Sequence, residues 1–262
     1  MRYERIEGLH PEMGAGGFTA YDGTVAFYAR VDALLTPQSR VLDFGAGRGW
    51  WMHDETCDYR KRLRDFRGRV AQVYGCDVDE AVLTNPSLDR AFLIEPGKPL
   101  QLADGSVDVI VADYVMEHVE DPASFAYETA RVLAPGGWLC ARTPSKYHYV
   151  SMISRLLPSG IGDASLAASQ PNRKKEDVFP AFYRLNTLRA IDAAFPAPTF
   201  RNCSYVFSSE PQYHFGSPWI YRGFKVLHAL LPATMKGNLS VFIQKRDDGA
   251  ANAIAIGGQG EA

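Results

Sequence analysis

The chain has 262 residues, of which 46% are hydrophobic and 22% charged, and its formal net charge is −2. This length and apolar content are typical of one large globular domain, or of a domain with an insertion. The near-neutral charge argues against a nucleic-acid-binding protein, because such proteins normally present a strongly basic face.

Cysteine usage and the apolar runs indicate the compartment. Four scattered cysteines, at positions 57, 76, 140 and 203, form neither a metal-like spacing nor a disulfide framework, which fits a reducing cytoplasm. No apolar run reaches the roughly 20 residues of a membrane-spanning helix. The first twelve residues contain three glutamates and no apolar core, so this segment does not resemble a signal peptide. We therefore expect a cytoplasmic protein.

The first elements surround a glycine-rich turn. Apolar residues recur at helical spacing over 22–35, and a charged stretch at 58–67 predicts another helix. Trp50 and Trp51 lie between them, directly after the turn. We favour an interpretation in which both tryptophans pack between the first helix and the sheet. The alternative is that they form a wall of the adenosine or substrate pocket.

The turn itself follows a predicted buried strand, Arg40–Phe44. Gly45, Gly47 and Gly49 come next and can adopt positive φ, so that a ligand can lie against bare backbone. Their spacing is G-x-G-x-G, whereas dinucleotide-binding proteins use G-x-G-x-x-G. The third glycine is therefore misplaced for a pyrophosphate, which disfavours an NAD oxidoreductase.

Acidic residues follow the next two predicted strands. Residues 69–76 predict the second strand, and Asp77 at its end is placed to accept hydrogen bonds from both hydroxyls of a ribose. Asp79 is predicted to be the N-cap of the next helix. A third, short strand at 91–94 is followed by Glu95.

The chain then continues to alternate between strands and helices. A turn at 102–106 leads into a fourth strand, and Asp121-Pro122 begins a helix with an N-cap and a proline at the first position. Two glycines end that helix before a fifth strand at 138–142. Alternation from 40 to 142 predicts a doubly wound parallel sheet.

Several of these motifs together resemble a known family. They are the glycine turn with Asp43 before it, the run Asp104-Gly105-Ser106-Val107-Asp108, the pair Glu117-His118, and the stop signal R-V-L-x-P-G-G that ends at Gly137. In this order they are similar to the class I S-adenosylmethionine-dependent methyltransferases, in the type-11 branch. The resemblance implies an α/β fold with a doubly wound, mostly parallel seven-stranded, Rossmann-like sheet and an antiparallel last strand.

The resemblance also implies a cofactor site for S-adenosylmethionine. The implied cofactor-binding residues are Asp43, Gly45, Ala46, Gly47, Gly49, Asp77, Val78, Glu95, Asp113 and Tyr114. Related quinone O-methyltransferases have a metal-linked acid shortly before the Glu-His pair. Tyr114 replaces that acid here and Asp113 is one place off, so no metal site is expected.

Beyond residue 142 the motifs end. We predict one methyltransferase domain over 1–246, with a cofactor half at about 22–142, a substrate half at about 143–246 and a disordered tail at 247–262. The substrate half contains predicted helices from 147 to 157 and from 185 to 195, a long loop at 158–180, and strands at 200–208 and 239–245. Aromatic residues concentrate there, and Tyr183 and Trp219 are the predicted substrate contacts.

An apolar helix predicted at 217–231 has three interpretations. It packs into the domain, it covers the acceptor pocket, or it lies in a membrane interface as an amphipathic helix. Its polar positions 222, 225 and 228 recur every three residues and leave most of the circumference apolar. We therefore expect the helix to be largely buried, and peripheral membrane contact is not favoured.

The expected activity is O-methylation of a small molecule or a glycan. His118, after the fourth strand, is the candidate general base because histidine most often has that role. His148 and His214 are weaker candidates. The alternatives are a C-methyltransferase acting on a quinone or polyketide, and a catalytically silent cofactor-binding subunit.

Overall fold

A computed structural model describes residues 8–95, 97–148, 180–208, 217–235 and 237–247. Within these ranges the strands are β1 (Arg40–Phe44), β2 (Gln72–Asp77), β3 (Arg90–Leu93), β4 (Val107–Asp113), β5 (Leu133–Pro144), β6 (Phe200–Asn202), β7 (Tyr205–Phe207) and β8 (Asn238–Lys245). The α-helices are α1 (Gly23–Asp32), α2 (Trp51–Asp54), α3 (Asp58–Arg64), α4 (Pro122–Val132), α5 (Leu188–Ala194) and α6 (Pro218–Leu230). Short 3₁₀ helices span Pro11–Gly14, Glu80–Thr84, Met116–His118 and Ala233–Met235.

The strands form one sheet in the order β3-β2-β1-β4-β5-β8-β6, with β7 also paired to β8. The neighbours from β3 to β5 run parallel, and β8 runs antiparallel to β5. The chain order reverses between β1 and β4, and in such open sheets ligands bind at this switch point, beyond the carboxyl ends of the strands. The predicted doubly wound fold with an antiparallel last strand is confirmed.

The sheet has eight strands rather than seven because the strand predicted at 200–208 is interrupted. Asn202 Oδ1 accepts the Ser204 N–H at 2.8 Å, which makes a local turn. The Ser204 hydroxyl then accepts the Phe242 N–H at 3.2 Å. The chain therefore pairs with β8 twice, as β6 and as β7.

Apolar residues cover both faces of the sheet. Leu42 and Ile110 belong to one buried cluster, while Val41 and Val109 belong to the other. Adjacent residues of a strand point to opposite faces, so a parallel strand buried on both faces needs an unbroken apolar run. The helix caps predicted at Asp79 and Asp121 are confirmed, since each side chain accepts a backbone N–H of the following helix.

The prediction that the helix at 218–231 is largely buried is wrong. Within α6, Tyr221 and His228 are buried, whereas Trp219 and Leu230 are exposed. The Tyr221 hydroxyl lies 3.0 Å from His10 Nε2, so this stripe faces the protein. The sequence pattern showed a broad apolar surface but not which part of it the fold would cover.

Parts of the substrate half lie outside the described residues. These are most of the helix predicted from 147 to 157, the loop predicted at 158–180 except Pro180, and the tail after Asp247. His214 also lies outside them.

Candidate active site

The glycine turn after β1 has the backbone geometry that its sequence predicts. Gly45, Gly47 and Gly49 have φ values of +76°, +51° and +66°. A Cβ on Gly45 would overlap the Val115 side chain, and one on Gly49 would overlap Asn85. A Cβ on Gly47 would have Asp77 Oδ2, at 3.9 Å, as its nearest neighbour. The turn is therefore closely packed at both ends and open at Gly47.

Hydrogen bonds from two other elements hold this turn in place. The N–H groups of Gly45 and Ala46 donate to the Cys76 carbonyl of β2, at 2.8 and 3.1 Å. Asn85 Nδ2 donates to the carbonyl oxygens of Ala46, at 3.1 Å, and Gly47, at 3.0 Å. The sequence analysis missed Asn85, because an asparagine after a short helix carries no signal that it reaches back over 38 residues.

Asp77 lies at the end of β2, directly beside the open glycine. Its Oδ2 accepts the Gly47 N–H at 2.8 Å, and its Oδ1 accepts the Asp79 N–H at 3.0 Å. A carboxylate has about four acceptor positions, so both oxygens can still accept a hydroxyl. Val78 follows with an exposed side chain. Glu95, beyond β3, is two-thirds exposed and forms an ion pair with Lys98 at 2.5 Å.

Asp113, at the end of β4, lies in a buried network of charged groups. Arg142 of β5 donates to both of its oxygens, at 2.7 and 2.6 Å, and the Tyr28 hydroxyl donates at 3.0 Å. Burial alone would raise the pKa of Asp113, but the Arg142 guanidinium holds it below its usual value. The Asp113 carboxylate is thus bound by protein groups, which leaves it less available for the predicted cofactor contact.

Arg64 of α3 lies beside this network and was also missed. Its guanidinium is 3.7 Å from Asp113 Oδ2 and 5.3–5.5 Å from the ring centres of Tyr28, Trp50 and Trp51. The Arg64 Nε atom is buried, and none of the described residues accepts its hydrogen bond. Trp51 is buried and Trp50 half exposed, so the two tryptophans enclose an arginine as well as packing on apolar groups.

Asp43, the second-last residue of β1, is close enough to Arg64, Asp113 and Asp77 for their charges to affect its ionisation. Burial raises the pKa of its carboxyl to about 7, with Asp113 and Asp77 adding to the rise and Arg64 opposing it. Asp43 therefore changes charge in the neutral range.

Tyr114 directly follows β4 with the unusual φ value of +60°. Its N–H donates to the Arg142 carbonyl at 2.8 Å, and its hydroxyl accepts from Asn238 Nδ2 at 2.8 Å. Strained backbone of this kind is concentrated at functional sites. Tyr114 is partly exposed at the same edge of the sheet as the glycine turn.

His118 and Tyr183 are brought together by backbone contacts. His118 Nδ1 is 2.8 Å from the Pro180 carbonyl oxygen. A carbonyl only accepts, so Nδ1 carries the proton and Nε2 is the basic atom of the neutral ring. The N–H groups of Phe182 and Tyr183 both donate to the Glu117 carbonyl, at 2.8 and 3.1 Å. Tyr183 has a φ of +53°.

The other predicted residues lie apart from this arrangement. Trp219 is on the exposed face of α6, with the Arg222 guanidinium 5.2 Å from its ring centre. His148 is buried, and burial beside His228 lowers its pKa to about 4. The parts of the chain that the structure describes contain no cluster of three potential metal ligands. Nor do they contain a helix that is long and apolar enough to cross a membrane.

Comparisons with known proteins agree with this geometry. The family model for the type-11 methyltransferase domain matches residues 42–141. A probable S-adenosylmethionine-dependent methyltransferase of Mycolicibacterium smegmatis is 36% identical over 113 residues, which cover 40% of this chain and 38% of the relative. A 2-methyl-6-phytyl-1,4-hydroquinone methyltransferase of Synechocystis is 32% identical over 105 residues, or 40% of this chain and 32% of the relative.

The chain thus spans less than two-fifths of the length of these two relatives. A solved S-adenosylmethionine-dependent methyltransferase from Methanosarcina mazei has the same fold, with a TM-score of 0.50, 16% identity and coverage of 84% of this chain and 98% of that one. The matched region contains most of β1, the glycine turn, Asp77 and most of β5. The region 42–141 is therefore a methyltransferase domain of the type-11 branch, similar to the class I S-adenosylmethionine-dependent methyltransferases.

Proposed function

We propose that this protein transfers the methyl group of S-adenosylmethionine to an oxygen atom of a small molecule or a glycan. The observation that carries the proposal is the contact between His118 Nδ1 and the Pro180 carbonyl, which directs basicity to Nε2. A hydroxyl acceptor loses its proton during methyl transfer, so a base positioned beside it increases the rate. Tyr183, held by the neighbouring Glu117 carbonyl, is proposed to contact the acceptor.

The residues present fit the cofactor. The space over Gly47 that a Cβ would fill admits a ligand against the backbone, and the Arg64 Nε–H is a buried donor for a carboxylate. We assign the ribose hydroxyls to Asp77 and the aminoacyl end to Asp43 and Arg64. Val78 and Glu95 are proposed to flank the adenine. When bound, the cofactor supplies a methyl group on a sulfonium, which is a good leaving group.

The chain's own groups then have two tasks. The glycine turn, Asp77 and Tyr114 would hold the donor, while Tyr183 would position the acceptor oxygen, and holding both reactants in place lowers the entropic part of the barrier. His118 Nε2 takes the acceptor proton as the new bond forms. Because the Pro180 carbonyl holds the ring, this nitrogen keeps one orientation.

A carbon acceptor is the second candidate, because the Synechocystis relative is named for a hydroquinone. A methyl-release assay over a panel of phenols, quinols, sugars and polyketides, with NMR assignment of each product, separates oxygen from carbon transfer. No product in the presence of strong S-adenosylhomocysteine binding would indicate a silent cofactor-binding subunit instead.

We predict that Asp77→Ala weakens the binding of S-adenosylhomocysteine. Losing a charge-assisted acceptor costs about 1.5–3 kcal/mol, which corresponds to roughly ten- to a hundredfold in affinity. Calorimetric titration of the folded variant measures this loss. Asp79→Ala is the control, since Asp79 caps the next helix through the Ala81 N–H at 2.8 Å. If the Asp77 variant keeps wild-type affinity for S-adenosylhomocysteine and the Asp79 variant loses affinity, the ribose contact must be assigned to Asp79 instead.

A second prediction concerns pH. The pKa of Asp43, about 7, lies above its ordinary value of 3.8, so the group gains its negative charge as the pH rises through neutrality. A cationic cofactor is bound more tightly by the ionised form. We therefore expect affinity for S-adenosylmethionine to rise by up to about tenfold over the two pH units centred on about 7.

Calorimetry in buffers of different ionisation enthalpy should also show proton release on binding near pH 7. Asp43→Asn should flatten the pH profile and remove the proton release. A profile that is unchanged in this variant would assign the titration to another group.

A further inference from the structure

Helix α6 presents an apolar face that the described part of the chain leaves exposed. Trp219, Val226 and Leu230 are 77%, 64% and 79% exposed, and Ile220 and Leu227 continue the surface at 43% and 42%. At about 100° per residue these five side chains fall on one side of the helix. We call this set the α6 apolar face. A contiguous exposed patch of large apolar residues marks an interaction surface.

The opposite side of α6 is fixed to the protein, so the exposure does not come from an undocked helix. Tyr221 is buried, and its hydroxyl lies 3.0 Å from His10 Nε2. His228, two turns later, is also buried. After the helix, the Thr234 carbonyl accepts the Ser145 hydroxyl at 2.7 Å, which connects this segment to the end of β5.

One border of the α6 apolar face carries a basic residue, Arg222, whereas Lys225 lies further round the helix, with its Nζ 5.6 Å from the ring centre of the buried Tyr221. Arg222 and Lys225 are exposed on the helix, and the Arg222 guanidinium lies 5.2 Å from the Trp219 ring centre. The sequence has no Asp or Glu between Glu210 and Asp247, although the whole chain has 30 acidic residues. A local excess of positive charge thus accompanies the apolar face in a chain whose net charge is −2.

The segment that follows α6 contacts the end of the sheet where the candidate active site lies. Asn238, three residues beyond the 3₁₀ turn that follows α6, donates to the Tyr114 hydroxyl at 2.8 Å. Ser145, which bonds to Thr234, directly follows β5.

We propose that α6 docks the protein on an anionic lipid bilayer, with the α6 apolar face in the interface and Arg222 at the level of the headgroups. The charge favours this occupant, because amphipathic helices with tryptophan on one face and basic residues at its border bind anionic lipid surfaces. A second copy of the chain fits less well. A two-fold contact would place the basic border of one helix against the same border of the other.

The test is flotation of the full chain with vesicles of phosphatidylcholine alone and of phosphatidylcholine with phosphatidylglycerol. We expect co-flotation with the anionic vesicles, and at least a tenfold loss in the variant Trp219→Glu, Leu230→Glu. Arg222→Gln, Lys225→Gln should lose the preference for anionic lipid. Tyr127→Glu is the matched control, since Tyr127 is 69% exposed on α4, away from the α6 apolar face.

Each variant must retain the binding of S-adenosylhomocysteine by calorimetry, which separates docking from the proposed methyl transfer. The proposal is overturned if the wild type does not float, or if flotation survives the Trp219 and Leu230 changes. Sedimentation velocity identifies the competing occupant: a wild-type dimer that the same double variant dissociates, without flotation, would assign the face to self-association.

Discussion

Replacing Gly47 with valine is expected to abolish the binding of S-adenosylmethionine and S-adenosylhomocysteine in a protein that still folds. The φ of +51° is unfavourable for a β-branched residue, at a cost of about 1–2 kcal/mol. Among the described residues other than its two chain neighbours, the atom nearest the new Cβ is Asp77 Oδ2 at 3.9 Å, so the side chain enters the open space over the turn. That space is where the cofactor is proposed to lie. Circular dichroism and calorimetric titration provide the two measurements.

Gly105→Val is the matched control. Gly105 has a φ of +60°, and its Cβ would likewise find its nearest atom at 3.9 Å, but it lies before β4, away from the carboxyl ends of the strands. It should lose similar stability and keep its affinity for the cofactor. By contrast, Gly45→Ala and Gly49→Ala would overlap Val115 and Asn85, and we expect them to reduce folding itself. A folded Gly47→Val protein with wild-type affinity would refute the assignment of this turn.

Replacing His118 with asparagine is expected to lower kcat by about 100- to 10,000-fold, the range for loss of a general base. The asparagine amide nitrogen lies near the position of Nδ1 and can still donate to the Pro180 carbonyl, which Nδ1 contacts at 2.8 Å in the wild type. The variant therefore removes the base and retains the contact. The measurements are kcat, KM and their pH dependence with an acceptor from the panel, and affinity for S-adenosylhomocysteine.

His118→Gln tests the contact itself, because its amide extends toward the position of Nε2 and gives up the bond to Pro180. If His118 is the base, both variants lose kcat, while cofactor affinity stays unchanged. If His118 only holds the segment at 180–184, the asparagine variant should keep its kcat and the glutamine variant should show a raised KM. The second pattern would exclude the assignment as base.

The cofactor half of the fold could be predicted from sequence because its signals are local. The φ values of Gly45, Gly47 and Gly49 follow from their spacing after a buried strand. Asp77 could be placed because parallel neighbours bring their carboxyl ends to the same edge, and β1 pairs with β2 through Asp43 and Gly75. Family motifs added the order of these elements.

The groups that the sequence analysis missed form hydrogen bonds with residues that are far away in the sequence. Arg142 reaches Asp113 over 29 residues, and Asn85 reaches Gly47 over 38. Neither contact has a local pattern, although an arginine within the apolar run of β5 indicates a buried partner. The prediction that α6 is largely buried was wrong for a related reason. Helical spacing shows which residues share a face, but only the packed fold decides which face meets the protein.

The buried charges around Asp113 also bear on what happens after transfer. Three carboxyl groups, of Asp43, Asp77 and Asp113, lie with the guanidinium groups of Arg64 and Arg142 at the end of the sheet. When Asp43 is ionised, the formal sum over these five side chains is one negative charge. S-adenosylmethionine has a sulfonium charge that S-adenosylhomocysteine has lost, so at the proposed position of the cofactor we expect this environment to favour the fresh donor over the spent one. We expect product inhibition to weaken as the pH rises through about 7, where Asp43 loses its proton.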